Sequence, residues 1–295
     1  MKYLITGYKG QLGYDVKREL LKRGVSEGAI LALDKDEMDV TNKVEVNRVI
    51  KDFNPNVIFH CAAFTAVDKA EDMEDACYNV NVVGTKNIVD AAIDIDATVI
   101  YMSTDYVFDG TKESLYTEED KVNPKSVYGK TKFLGEEEVR RNPKHFITRI
   151  SWVFGINGHN FIRTMLKLSE NHNELNVVDD QIGSPTYTVD LAKVLVDMSF
   201  TDKYGTYNVT NSEYCSWADF AEYIFKSNNK DTKVNKVTTE EYLEITGTKQ
   251  AYRPRNSRLD KTKLEENFGL LPTWKDAVDR YNIELENEKK LIKKI

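Results

Sequence analysis

The first thirteen residues narrow most sharply what this chain can fold into. An apolar run over Lys2–Thr6 is followed at once by Gly7-Tyr8-Lys9-Gly10-Gln11-Leu12-Gly13. Glycines at such a junction let a strand turn tightly into a helix, let the backbone approach a pyrophosphate, and let the helix pack on a sheet. The start of the helix then presents free N–H groups and the positive end of its dipole to phosphate. Gly7, Gly10, Gln11, Leu12 and Gly13 are therefore candidate dinucleotide-binding residues, and the fold class is α/β.

The rest of the first half keeps that rhythm. Strands are expected at Lys2–Thr6, Ala29–Leu33, Val57–Cys61, Thr98–Ser103 and Phe146–Ile150. Between them the periodicity predicts helices over Gly10–Arg23, Lys43–Phe53, Ala76–Ile93 and Ser126–Arg141. Repeated βαβ units with right-handed crossovers give a doubly wound parallel sheet of the Rossmann type. After residue 150 the pattern loosens, with helices expected at Phe161–Asn171, Val189–Met198 and Ser216–Ser227 and a strand at Tyr207–Val209. The stretch Asn228–Gln250 reads as polar and irregular, and Glu284–Ile295 as a charged surface helix. The expected division is a dinucleotide-binding domain over residues 1–150. A smaller substrate lobe over 151–295 is interleaved with the last sheet elements.

Composition narrows the partners. A net charge of -7 argues against a general nucleic-acid binder, so cations for an anionic ligand must be gathered locally. No apolar stretch is long enough to span a bilayer. The opening apolar run is too short for a signal peptide, and Cys61, Cys77 and Cys215 show no metal-ligand spacing. The expectation is a cytoplasmic protein with reduced thiols, no membrane partner and no metal, as a monomer or homodimer.

Asp34 falls at the end of the second strand, where a carboxylate accepts hydrogen bonds from adenosine ribose hydroxyls and repels a 2′-phosphate. Lys35 follows and offsets that repulsion, so NADH is favoured without excluding NADPH. Asp39-Val40 resembles the Asp-hydrophobic pair that meets the adenine in dinucleotide-binding enzymes of this class, and the small-residue loop Ala62-Ala63-Phe64-Thr65 after strand three lets the cofactor lie close. Met102, on strand four, joins the cofactor set. Tyr128 is the one tyrosine of 16 with a lysine, Lys132, four residues on. On a helix the two share a face, and the ammonium stabilises the phenolate of a group whose ordinary pKa is near 10. Tyr128 can then pass a proton to a carbonyl oxygen as hydride reaches the carbon, and Lys132 can also hold the nicotinamide ribose. A hydroxyl at the end of strand four, in Ser103-Thr104-Asp105, can orient that carbonyl.

These motifs, with Arg-Ile-Ser-Trp-Val-Phe (149–154), Asp-Gln-Ile-Gly-Ser-Pro-Thr (180–186) and Arg-Pro-Arg-Asn-Ser-Arg-Leu (253–259), run through nearly the whole chain. Together they closely resemble the dTDP-4-dehydrorhamnose reductases, a family of extended short-chain dehydrogenases. The resemblance implies NAD(P)H-dependent reduction of dTDP-4-dehydro-6-deoxy-L-mannose to dTDP-L-rhamnose, a donor for cell-surface polysaccharide. It makes Tyr128 the proton donor, Lys132 its partner and Thr104 the carbonyl-orienting hydroxyl. It puts Val67, Asp105 and Trp152 at the sugar and Arg253 and Arg258 at the nucleotide diphosphate. Arg255 departs from the family pattern, where a small residue is frequent. Some relatives hold Mg2+ at a subunit contact, and Asp15 and Asp190 stand at plausible positions, but their spacing supports no metal. Two other readings use the same scaffold: a nucleotide-sugar epimerase or dehydratase, and a regulatory subunit related to that of methionine adenosyltransferase.

Overall fold

Six short strands of this chain carry branched and aromatic side chains on both faces, the pattern of strands buried in a parallel sheet. In the computed structural model, which describes residues 1–292, they are β1 (Tyr3–Thr6), β2 (Ile30–Leu33), β3 (Val57–His60), β4 (Thr98–Thr104), β5 (His145–Ile150) and β6 (Gly205–Asn208). They form one sheet in the order β6-β5-β4-β3-β1-β2, every neighbouring pair parallel. The order reverses between β1 and β3, and the crevice at such a switch point is where ligands of open α/β sheets bind.

Helices cover both faces. On one side α1 (Gln11–Lys22) and α5 (Thr188–Met198) bury Leu12, Val16, Leu20, Leu191 and Leu195 against Ile5, Phe59 and Phe146. On the other, α2 (Lys43–Phe53), α3 (Thr85–Asp94) and α4 (Val127–Val139) bury Val46, Ile50, Ile88, Val89 and Val139 against Leu4, Ile58, Val99 and Ile147. The remaining residues build a lobe around stacked aromatics, among them Phe154, Tyr187, Phe220, Trp274 and Tyr281. No helix among the described residues is long and apolar enough to cross a membrane.

Two expectations are corrected. The helix expected over Ala76–Ile93 is broken: a helical turn at Glu74–Tyr78 runs into a π-helical turn, Asn79–Gly84, before α3 begins. A Cβ on Gly84 would lie 2.7 Å from the Val40 side chain, so the chain is pressed against the β2–α2 connection there. The stretch Asn228–Gln250 is not irregular. Lys233–Val237 is a strand paired in parallel with Glu174–Val178, and Thr238 then opens the helix Thr239–Thr246 through a capping box with Glu241. The charged C-terminal helix spans Trp274–Ile292, and residues 293–295 of the expected segment lie outside the described residues.

Candidate active site

Close contact explains the opening glycines. Gly7 has φ +66, and a Cβ there would come within 2.8 Å of the Ala62 backbone; one on Gly13 would lie 2.5 Å from the Gly7 carbonyl oxygen. Gly10 is the N-cap of α1 with no side-chain cap, so the first N–H groups of the helix are left for an anion. This cradle fits a dinucleotide pyrophosphate. Asp34 accepts from the backbone N–H groups of Lys9 (3.1 Å) and Lys35 (2.7 Å), which sets its carboxylate across the mouth of the turn. Asp39 accepts from the Thr41 N–H and hydroxyl, and these bonds hold its carboxyl below the usual range. Val40 is buried beneath Gly84.

The loop after β3 is pinned at two points: the Ala62 N–H donates to Thr6 Oγ1 (3.1 Å) and the Phe64 N–H to Asn81 Oδ1 (2.8 Å). Ala63 lies half-buried between them, and Thr65 is exposed. Three cofactor candidates have side chains already engaged in the protein. Gln11 Oε1 accepts from the Gly155 N–H (2.8 Å) and so ties α1 to the loop after Phe154. Leu12 and Met102 are in the sheet core.

The candidate reaction residues meet where β4 ends. Thr104 closes that strand, and α4 begins a turn before Lys132, with Ser126 as N-cap accepting from the Gly129 N–H (3.1 Å). A Cβ on Gly129 would fall 2.2 Å from the Tyr106 carbonyl oxygen, so only glycine lets the helix lie this close to the turn after β4. That approach brings the Tyr128 ring edge-on to Tyr106, 5.5 Å between centroids, with the Thr104 hydroxyl facing its phenol. Lys132 is 2% exposed, and its ammonium stands 4.1 Å from the centroid of the Tyr101 ring. Thr104, Tyr128 and Lys132 are thus brought together.

Burial dominates the electrostatics here. It pulls the Lys132 ammonium down to about 7, with Glu136 drawing it partly back up, and no carboxylate among the described residues pairs with it. It pushes the Tyr128 phenol up, partly offset by Thr104, so the phenol is protonated at neutral pH. His60 is forced down to about 3 and is neutral, while Cys61 is pushed up to about 12. Asp105 rises to about 6 through burial, although Ser257 (2.5 Å) and Thr104 (3.0 Å) both donate hydroxyl hydrogen bonds to it.

Among the candidate substrate residues, Trp152 stacks on Trp217 at 3.8 Å and has φ +48, a left-handed conformation that a bulky residue adopts only when its surroundings enforce it. Val67 opens the short helix Val67–Asp72. Arg253 forms a two-pronged pair with Asp68, both contacts 2.9 Å. Arg258 donates to Asn256 Oδ1 (2.8 Å) and to the Glu113 carbonyl oxygen (2.5 Å), with no carboxylate partner among the described residues. Arg255 turns away to Asp180 and Glu240. The whole segment is strapped over the mouth of the site: Tyr252 donates to the Asp109 carbonyl oxygen, and Asn256 to those of Lys112 and Ser114.

Asp15 and Asp190 do not suit a metal. Asp15 accepts from Arg18 (2.9 Å) and Thr188 (2.5 Å), and Asp190 accepts both prongs of Arg280 (2.8 and 2.7 Å) and the Asn211 amide. Both carboxylates are engaged by guanidinium groups of the chain itself, Arg18 shared with Glu284 and Arg280 with Asp276.

Three residues escaped the sequence reading. Asn81, in the π turn, reaches the Phe64 backbone and Thr131, joining the cofactor loop to α4. Ser257 binds Asp105, and Asp68 binds Arg253. Ser257 lies inside the stretch 253–259 and Asp68 stands next to Val67, so their neighbourhood was visible though their partners were not.

The comparisons with known proteins agree with this geometry. The family model described as RmlD substrate binding domain matches residues 1–286. A dTDP-4-dehydrorhamnose reductase of Aggregatibacter actinomycetemcomitans is 43% identical over 291 residues, 94% of this chain and 97% of that protein. The crystal structure of a dTDP-4-dehydrorhamnose reductase from Clostridium acetobutylicum superposes with a TM-score of 0.92 at 42% identity, covering 97% of this chain and 100% of that one. The Bacillus anthracis dTDP-4-dehydrorhamnose reductase, solved in complex with NADP, gives 0.90 at 38% identity, covering 96% and 100%. The chain belongs to this reductase family.

Proposed function

We propose that this member of the family uses a nicotinamide dinucleotide to reduce the 4-keto group of dTDP-4-dehydro-6-deoxy-L-mannose, giving dTDP-L-rhamnose, with Tyr128 as proton donor. When bound, the dinucleotide supplies the hydride. The glycine cradle and the open N-terminus of α1 hold its pyrophosphate, and Asp34 receives the adenosine ribose. Asp34 favours NADH, and the neighbouring Lys35 keeps NADPH acceptable.

The observation that carries this reading is Lys132. A buried ammonium without an ion-pair partner is costly, and here it lies one helical turn from a half-buried, protonated phenol. Hydride arriving alone would leave an alkoxide in a site shielded from water. Tyr128 removes that charge by giving up its proton as the charge forms, and Lys132 stabilises the phenolate left behind. Thr104 orients the keto oxygen, Trp152 and Val67 border the sugar, and Arg253 and Arg258 take the diphosphate as planar donor forks.

Tyr128→Phe tests the mechanism, because it deletes the proton and keeps the ring. Folding and NADH binding are expected to survive while turnover falls by roughly 10²–10⁴. Near-normal turnover by a folded, cofactor-binding variant would reject Tyr128 as the acid.

A further inference from the structure

Arg253 raises a question of arithmetic. Its guanidinium has five N–H donors in one plane, arranged as an end fork of Nη1 and Nη2 and a side fork of Nε and Nη2. Asp68 occupies the end fork, Oδ1 on Nη1 and Oδ2 on Nη2, each at 2.9 Å. The second Nη1 proton goes to the Ala251 carbonyl oxygen at 3.1 Å. The two donors left over are Nε–H and the outer Nη2–H, which point the same way. Together they make an unused fork of the kind that grips a phosphate through two parallel hydrogen bonds.

We infer that Asp68 is a positioning residue for the reaction, holding Arg253 by one edge so that the other edge stays open to the substrate's diphosphate. The inference rests on the reading of Arg253 given above and adds to it the group that aims the side chain. An ion pair as solvated as this one, with side chains 48% and 23% exposed, contributes little to stability by itself. Its worth lies in geometry. Asp68 also accepts the Ala251 N–H at 2.9 Å, so a single carboxylate fixes both the backbone that carries the arginine and the arginine head. The contact joins residues 185 apart in sequence, linking the helix that starts at Val67 to the strap above the sugar pocket. Arg253 holds the Asp68 carboxyl below its ordinary range, so the contact persists through the neutral and mildly acidic range.

Binding of dTDP and of thymidine, measured by calorimetry on the NADH-saturated protein, tests this. Asp68→Asn should weaken dTDP about ten-fold and thymidine by less than about two-fold, with NADH affinity unchanged. In an Arg253→Ala background the same substitution should add nothing. Arg253→Lys keeps the charge and loses the fork, and should weaken dTDP nearly as much as Arg253→Ala. If Arg253→Ala weakens dTDP and Asp68→Asn does not, the inference fails while the reading of Arg253 stands. It fails equally if Asp68→Asn weakens dTDP as much without Arg253 as with it, since Asp68 would then act through Ala251 alone. If Arg253→Ala leaves dTDP binding unchanged, both fall together.

Discussion

Two neighbouring turns of α4 treat buried charge in opposite ways. Around Glu136 the chain supplies more partners than the group needs: Arg149 through two prongs (2.9 and 2.8 Å), Ser103 (2.5 Å) and Arg140 (3.1 Å). Despite complete burial, these hold its carboxyl below the usual range. Around Lys132, four residues earlier, there is a tyrosine ring, a neutral histidine and protonated thiols, but no carboxylate within pairing distance among the described residues. The first turn is finished when the chain folds. The second is left without a carboxylate partner among the described residues. A buried ion that the fold leaves unpaired therefore marks the candidate reaction site more clearly than an ion pair of greater strength does.

The largest effect expected from this contrast is at the finished turn. Arg149→Leu leaves Glu136 buried with only the partly exposed Arg140 and Ser103, and should destabilise the protein by about 3–5 kcal/mol. A urea titration monitored by tryptophan fluorescence reads it, and an unchanged midpoint would break the comparison. Next comes Lys132→Met, which should do the reverse and stabilise the ligand-free protein by roughly 2–4 kcal/mol near neutral pH while abolishing turnover. The sign follows from its lowered pKa. Between about 7 and the ordinary value of 10.5 the unfolded chain holds a proton at this lysine that the folded chain has released. Wild-type stability should accordingly rise with pH across that window relative to Lys132→Met, and parallel pH profiles would refute it. The smallest effect lies at the cofactor edge. Asp34 is half-exposed and bonded to backbone N–H groups. Asp34→Ala should therefore shift preference toward NADPH by a few-fold, about 1 kcal/mol, with stability nearly unchanged. Titration of both cofactors into both proteins measures it, and tighter binding of NADPH to the wild type would reverse the assignment of Asp34.

What could be read from the residues alone follows the same division. The glycine turn, the strands and the Tyr128–Lys132 pair are legible because each is local: a spacing within one strand, turn or helix carries it. Asp68 and Ser257 are not, since their partners stand 185 and 152 residues away. The π turn escaped because Ala76, Val80, Val83 and Ile88 keep near-helical spacing through it, and one extra residue in a turn barely disturbs that period. The strand Lys233–Val237 escaped for another reason. It lies in a two-stranded sheet at the edge of the lobe, and its exposed lysines hide the alternation. Thr238 and Glu241, by contrast, carried a capping signal that the polar composition obscured.

The last strand of the sheet has a consequence for how the chain comes into being. β6 is built from residues 205–208 and covers the outer edge of β5, while α5, residues 188–198, covers α1 and the face beneath it. As the chain leaves the ribosome, residues 1–150 emerge with an open strand edge and without the helix that packs beside α1 on the same face of the sheet. A nascent chain in that state is the species most exposed to aggregation and to chaperone capture. The parallel sheet is closed only when about two thirds of the protein has been synthesised, so folding of the first half waits on the second.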